Sequence, residues 1–178
     1  MAAAAELFEE RGVADVSVAD ITGAAGAAKG TFYLYFPSRH ALIASVQEEL
    51  AAEMTDVMAD AADGIDGGCA AVVTEQVRAI IEFWRRHARR LDLLFHPAVS
   101  PGEIDPAINI LVGALTRTIS DGARAGEIEV DDPPRAASLL FGAVRGGIQI
   151  ELQRGRPQWA RLHRATEELV DRLLQPAA

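Results

Sequence analysis

The sequence predicts an all-α protein in two parts, a short N-terminal group of three helices and a larger helical region after it. Apolar residues recur at intervals of three and four along almost the whole chain, and no segment alternates with the period of two that marks a strand. Glycines and prolines separate these apolar patterns and mark where helices end. With 178 residues, 49% of them hydrophobic, the chain can bury a core of its own.

The first two helices are short. The first is predicted from an apolar stripe and from a glycine suited to ending a helix, in the order Ala4, Leu7, Phe8 and Gly12. The second, about residues 18–25, begins after Ser17, a favourable N-cap. Asp20 follows three positions later and can return a hydrogen bond to the cap, which makes a capping box.

The third and fourth helices follow a sharp bend. Gly26 falls at that bend, and a helix of about residues 28–35 places Phe32 and Phe36 on one side, which is the spacing of a helix-turn-helix. Pro37 ends this helix. Ser38 then caps a long helix to about residue 61, which would be about 36 Å long.

The segment DGIDGG, residues 63–68, is the clearest linker, and four more helices are predicted after it. The first of them carries Val73 to Leu91 and can continue through Phe95. The next begins at Pro106 and stops at Gly126. The last two start at prolines, where a missing N–H costs little. One runs from Pro133 toward Gly155 and the other from Pro157 to Leu173.

Composition excludes several classes of protein. No apolar run approaches the roughly 18 residues of a membrane span, and the N-terminus lacks the basic region of an export signal, so we expect a cytoplasmic protein. Cys69 is the single cysteine, with no histidine near it in the sequence, so neither a disulfide nor a metal site is expected. The net charge of −9 argues against nonspecific coating of nucleic acid.

The segment GAAKGTFYLYF, residues 26–36, concentrates aromatic residues on one short helix. In a three-helix DNA reader, one side of the third helix anchors it while the other offers small residues near bases and long polar ones toward phosphates. Gly30 would let the backbone approach the bases, Lys29 and Thr31 can donate to them, and the groups placed to reach phosphates are Tyr33, Tyr35 and Arg39. Alternatively, the two tyrosines are core residues.

Residues 4–47 resemble the N-terminal domain of the TetR family of bacterial transcriptional regulators. The ordered set of Leu-Phe, Gly, Ser-Val, Ile, Ala-Ala-Gly, Lys-Gly-Thr-Phe-Tyr and Tyr-Phe-Pro-Ser carries this resemblance. It implies a DNA-binding domain of residues 1–47, a ligand-binding and dimerisation domain of residues 48–178, and a homodimer that releases a palindromic operator when a small molecule binds. Repression is the commonest mode in the family, and the DNA-binding residues it implies are Ser17, Lys29, Gly30, Thr31, Tyr33, Tyr35 and Arg39.

The chain departs from that family at two places. Ala28 stands where many relatives have serine, so the third helix lacks a side-chain N-cap worth about 1 kcal/mol. Relatives usually begin the first helix farther upstream with basic residues, which implies that such an arm is missing here. Residues 1–47 accordingly hold three basic against five acidic side chains, a local charge of −2.

Two further groups of residues are assigned from the larger region. Aromatic residues at helical spacing usually form core, but the resemblance places the effector cavity among these helices, so the candidate ligand-binding residues are Phe83, Trp84, His87, Phe95, His96, Phe141 and Gln149. Small residues on one helix and an apolar stripe on the next permit close helix approach, either between subunits or within one chain; the candidate dimer residues are Gly142, Gly146, Trp159, Leu162, Thr166, Leu169 and Leu173.

Two other functions are compatible with parts of the sequence. An all-α enzyme would need a nucleophile elbow, a phosphate loop or a metal-ligand cluster, and no such motif is present, so we expect no enzymatic activity and no cofactor. An adaptor or small-molecule binder that keeps the helix-turn-helix fold without binding DNA is the main alternative, because the local charge is slightly negative.

Overall fold

The computed structural model describes residues 1–87 and 106–176, and most of these residues are helical. Eight helices lie within them: α1 (Ala2–Arg11), α2 (Val18–Ala24), α3 (Lys29–Tyr35), α4 (Arg39–Ala62), α5 (Gly68–Arg86), α6 (Pro106–Arg124), α7 (Pro133–Gln153) and α8 (Trp159–Leu173). The described part of the chain contains no β-strand. The predicted all-α fold is therefore confirmed.

The helix boundaries predicted from glycine, proline and cap residues agree closely with the structure, with one difference. The last helix starts at Trp159 and not at Pro157. The Gln158 N–H donates to a carboxylate oxygen of Glu151, 2.6 Å away, and this contact holds the preceding residues in a loop. The predicted continuation of the fifth helix through Leu94 and Phe95 lies outside the described residues.

The described residues form two compact units. The first holds Met1–Ala52, His87 and residues 106–109, and the second holds Glu53–Arg86 and residues 110–176. In the first unit α1, α2, α3 and the start of α4 enclose a small apolar core. Its buried members are Ala4, Leu7, Phe8, Val13, Val16, Ile21, Phe32, Leu42, Ile43 and Val46.

In the second unit, α5 packs against α7 and α8. Trp84 is buried, and its indole N–H donates to the sulfur of Met54 at 3.3 Å. The ring of Phe141 on α7 meets Trp84 edge to face, with centroids 6.3 Å apart. These large side chains form the centre of the core of this unit.

Charged pairs also join α5 to α8. Arg78 contacts Glu167 at 2.5 Å, and the ring of His163 lies 3.2 Å from the carboxylate of Glu82. A hydrogen bond from Arg85, with a smaller contribution from His163, lowers the pKa of the Glu82 carboxyl. These pairs fix which side of α8 faces α5, in addition to the apolar contacts.

Cys69 is buried in the first turn of α5. Its backbone N–H donates to the carboxylate of Glu127 at 2.6 Å, and burial raises the pKa of its thiol. The thiol therefore stays protonated near neutral pH. No helix of the described residues is both long enough and apolar enough to cross a bilayer.

Candidate nucleic-acid interface

The turn between α2 and α3 aims the third helix away from the second. Gly26 adopts φ +62, which side-chain-bearing residues rarely adopt, and the N–H of Ala27 donates to the carbonyl of Thr22 at 2.9 Å. α2 and α3 then pack against each other. This is the bend that the sequence predicted at Gly26.

One side of α3 anchors it in the core of the first unit. Phe32 is only 6% exposed, and its ring lies 5.7 Å, centroid to centroid, from that of Phe36, which is half-buried. The rings of Tyr33 and Phe32 also meet edge to face, with their centroids 5.2 Å apart. Anchoring by Phe32 holds the outward side of a seven-residue helix in one orientation.

The outward side of α3 carries the residues that the sequence proposed for DNA contact. Lys29, Gly30 and Thr31 are exposed in its first turn. Tyr33 is 50% exposed and Tyr35 is 76% exposed. The alternative that both tyrosines are core residues is therefore wrong, because their rings project from a helix whose inward face is already filled by Phe32.

One outward residue of α3 was assigned no role from the sequence. Leu34 is 83% exposed, although leucine normally buries its side chain. The signal was available in the sequence, because a helix advances about 100° per residue and position 34 lies nearly opposite position 32.

Ser17 forms the N-cap of α2. Its backbone N–H donates to Asp20 at 2.9 Å, its hydroxyl also contacts that carboxylate, and the Asp20 N–H donates to the hydroxyl at 3.2 Å. The Ser17 hydroxyl, followed by its backbone N–H, lowers the pKa of Asp20. The stabilisation by this carboxylate is thus present above its ordinary pKa and is lost as the pH falls through the lower folded value.

Arg39 is turned toward its own domain. Its Nε donates to the carbonyl of Val16 at 2.9 Å, and a terminal nitrogen contacts the carbonyl of Val13. The guanidinium carbon also lies 5.9 Å from the centroid of the Phe8 ring. These contacts attach the start of α4 to the loop before α2, and a DNA contact by Arg39 stays a prediction.

Comparison with known proteins bears on the same residues. Residues 1–46 match the family model described as bacterial regulatory proteins, tetR family. The first 46 residues are therefore similar to the TetR family of regulators. The match thus covers α1, α2 and α3 with the start of α4, which are the elements that form and present the outward side of α3.

One curated relative matches the chain over a short stretch, and solved structures match it along almost its whole length. The chain is 46% identical over 54 residues to the uncharacterized HTH-type transcriptional regulator YvdT of Bacillus subtilis, and this match covers 30% of the chain and 28% of YvdT. A TetR-family transcriptional regulator from Pectobacterium atrosepticum is 25% identical over 99% of the chain and 93% of its own length, with a TM-score of 0.78. RolR in complex with resorcinol shares the fold, at 22% identity over 99% of the chain and 92% of RolR, with a TM-score of 0.73.

The candidate ligand residues of the chain have different surroundings. Phe83, Trp84 and Phe141 are buried in the second unit. His87 and Gln149 are exposed. Phe95 and His96 lie outside the described residues. The structure thus brings the rings of Trp84 and Phe141 together.

The candidate dimer residues of the same chain divide into two groups. On α7, Gly142 and Gly146 face open space, since a Cβ added to either would meet nothing within 4 Å. On α8, Thr166 is buried and the other candidates are half-buried: Trp159, Leu162, Leu169 and Leu173.

Two of these positions pack within the chain. A Cβ at Gly147 would lie 2.5 Å from Leu162 Cδ1, and the hydroxyl of Thr166 donates to the His163 carbonyl at 2.8 Å. The stripe on α8 therefore includes an intrachain contact with α7, and its part in a dimer stays a prediction.

Proposed function

We propose that the chain is a ligand-responsive, DNA-binding transcriptional regulator, a repressor that a small hydrophobic effector releases from a roughly palindromic operator. The outward side of α3 carries this proposal. An α-helix fits the major groove, and α3 offers a lysine, a glycine and a threonine in its first turn with two exposed tyrosines beyond them. Phe32 holds that face outward.

DNA binding by this domain depends on a few well-directed groups. Arg11 lies 3.8 Å from the carboxylate of Asp20, and Arg39 is bound to backbone carbonyls of its own domain. Lys29 is the basic residue on the outward side of α3. We therefore propose that Lys29, Gly30 and Thr31 meet bases and that the phenol groups of Tyr33 and Tyr35 donate to phosphates, as hydroxyl donors commonly do.

A homodimer would present two copies of α3 to the DNA. Leu139 is 63% exposed and Ile150 is 54% exposed, and both lie with Ala143 and Gly146 on a stripe of α7 opposite its buried side. Such an apolar stripe on an exposed helix suits a self-complementary interface. Two recognition helices about 34 Å apart would then match successive major grooves.

The effector is proposed to bind in the second unit, near Trp84 and Phe141. Large apolar side chains with a few polar groups characterise pockets for hydrophobic small molecules. An effector that prefers a dimer with another spacing of α3 weakens operator binding by the same coupling free energy. α4 supplies residues to both units and is the candidate lever.

We assign no catalytic activity to the chain and place it in the cytoplasm, where an operator is accessible. The similarity to known proteins supports both assignments, because the named relatives are transcriptional regulators. The alternative is an adaptor of the same fold that binds no DNA, which the local charge of −2 in residues 1–47 favours.

Selection of bound sequences from random duplexes tests the proposal. We expect a palindromic consensus, with affinity that falls as salt rises from 50 to 200 mM because counterions are released on binding. Tyr33→Phe should weaken binding to all sequences, while Lys29→Ala should also relax base preference. Recovery of no consensus, or equal binding by both variants and the parent, contradicts these assignments and favours the adaptor.

A further inference from the structure

Leu34 is the most exposed of the large hydrophobic side chains in the described residues. Its neighbours on the helix, Tyr33 and Tyr35, are amphipathic and carry a polar group to solvent, but leucine has none. An apolar side chain this exposed in the middle of a proposed recognition helix points to a contact that forms only in a complex.

The position of Leu34 on α3 defines what it can touch. At about 100° per residue, Leu34 lies nearly opposite Phe32, at the centre of the outward side. Tyr33 and Tyr35 flank it on either side, and Gly30 precedes it by one turn. A Cβ at Gly30 would meet nothing within 4 Å, so the approach to Leu34 from that end is open.

The chemistry of the major groove offers one apolar group to such a side chain. When α3 enters the groove, the two tyrosines face its walls and Leu34 faces its floor. Base edges on that floor present hydrogen-bonding groups, except for the C5-methyl group of thymine. A leucine gains free energy from that methyl group and can donate no hydrogen bond to any other base.

We propose that Leu34 is a specificity-determining residue that recognises one thymine in each operator half-site through contact with its C5-methyl group. This inference rests on the proposed DNA-binding function. It adds base recognition by an apolar contact to the hydrogen bonds proposed for Lys29 and Thr31.

The experiment uses the full chain and the duplex obtained by selection. Each thymine of the consensus is replaced in turn by deoxyuridine, which removes only the methyl group. At one thymine per half-site, we expect binding to weaken about fourfold, which corresponds to about 0.8 kcal/mol for one buried methyl group. Leu34→Ala should weaken binding to the parent duplex and should show no further loss at that same position.

Leu152→Ala is the matched control, because Leu152 is an exposed leucine at the end of α7. This variant should keep the full deoxyuridine effect. Leu34→Ala should also melt at the same temperature as the parent, since the side chain makes little contact in the free protein, so a loss of binding would not reflect unfolding.

The other outcomes separate the two proposals. Specific binding in which Leu34→Ala keeps every deoxyuridine effect overturns the role of Leu34 and leaves the regulator intact, as does a consensus without a thymine in each half-site. Failure to select any duplex overturns the DNA-binding function and this inference with it.

Discussion

Adjacent aromatic residues of α3 occupy opposite environments. Phe32 is buried and Tyr33 is half exposed, although the two rings are in contact. Their positions on the helix account for the difference, because successive residues lie about 100° apart around its axis. The residue types suit these positions, since a phenol can remain in water and donate a hydrogen bond, whereas a phenyl ring gains only from burial.

Gly30 provides a prediction that separates folding from binding. Because an added Cβ would meet nothing in the free protein, Gly30→Ala should raise the free energy of unfolding by up to about 1 kcal/mol. The same methyl group would hold the backbone away from base edges, so operator affinity should fall. Thermal denaturation and titration of the selected duplex measure the two effects, and unchanged affinity would show that the backbone makes no close approach at Gly30.

Replacing Arg39 should lower the stability of the protein, whereas replacing Lys29 should lower only its affinity for DNA. Arg39→Ala removes hydrogen bonds to the carbonyls of Val13 and Val16, and we expect unfolding to become easier by about 1–3 kcal/mol. Lys29→Ala should leave the melting temperature unchanged, because Lys29 is exposed, and should weaken DNA binding. If both variants melt like the parent, the attachment of α4 by Arg39 contributes little to stability.

At the level of elements, α3 is short and begins without a side-chain cap. Ala28 has the extended backbone of an N-cap, with φ −73 and ψ 146, but its side chain offers no hydrogen-bond acceptor to the first turn. α2 has a full capping box at the corresponding position. The third helix therefore relies on Phe32 and on packing against α2 for its stability.

Ala28→Ser should supply the missing cap. The serine oxygen can accept from the first-turn N–H groups without a backbone change, so we expect unfolding to become harder by about 1 kcal/mol. Ala27→Ser is the matched control, since Ala27 lies one residue before the cap and should give no such gain. Equal melting temperatures for both variants would show that the first turn of α3 is already satisfied by solvent.

The glycines of α7 separate intrachain packing from subunit contact. Gly147→Val should lower the melting temperature at every protein concentration, because its side chain would displace Leu162, and overpacking costs about 1–3 kcal/mol. Gly142→Val meets open space in one chain and should instead weaken dimerisation. Denaturation at several protein concentrations distinguishes them, and equal behaviour would contradict the division of α7 into two faces.

At the scale of the whole molecule, the exposed stripe on α7 determines the proposed assembly. Leu139→Glu combined with Ile150→Glu would bury charges in the dimer interface. We expect the dimer dissociation constant to rise at least about a hundredfold while each subunit stays folded, because both side chains are exposed in the single chain. Sedimentation velocity measures the dimer dissociation constant, and circular dichroism on the same samples shows whether the subunits stay folded.

Ser138→Glu is the control for the double variant, since Ser138 is exposed on α7 beside the stripe. It should leave the oligomeric state unchanged. A double variant that remains dimeric would place the interface elsewhere, and operator affinity measured on the same samples would show whether two copies of α3 are needed together.

The sequence by itself determined the helices, their caps and the family that the N-terminal residues resemble. Ser17 with Asp20, Gly26 and Pro133 act through local backbone geometry and hydrogen bonds within a few residues, so their pattern is sufficient to predict helix boundaries. The same local information placed Phe32 inward, because helical periodicity separates the two sides of α3.

Only the tertiary structure decided which side chains already make contacts within the protein and which are exposed. Arg39 resembles a phosphate-binding residue in the sequence, but its guanidinium binds carbonyls 23 and 26 residues earlier in the chain. Leu139 follows the same apolar pattern as the buried Leu140, yet it is exposed, and Leu162 fills the space beside Gly147. Such contacts join residues far apart in sequence, and their free energies depend on distances that no local pattern contains.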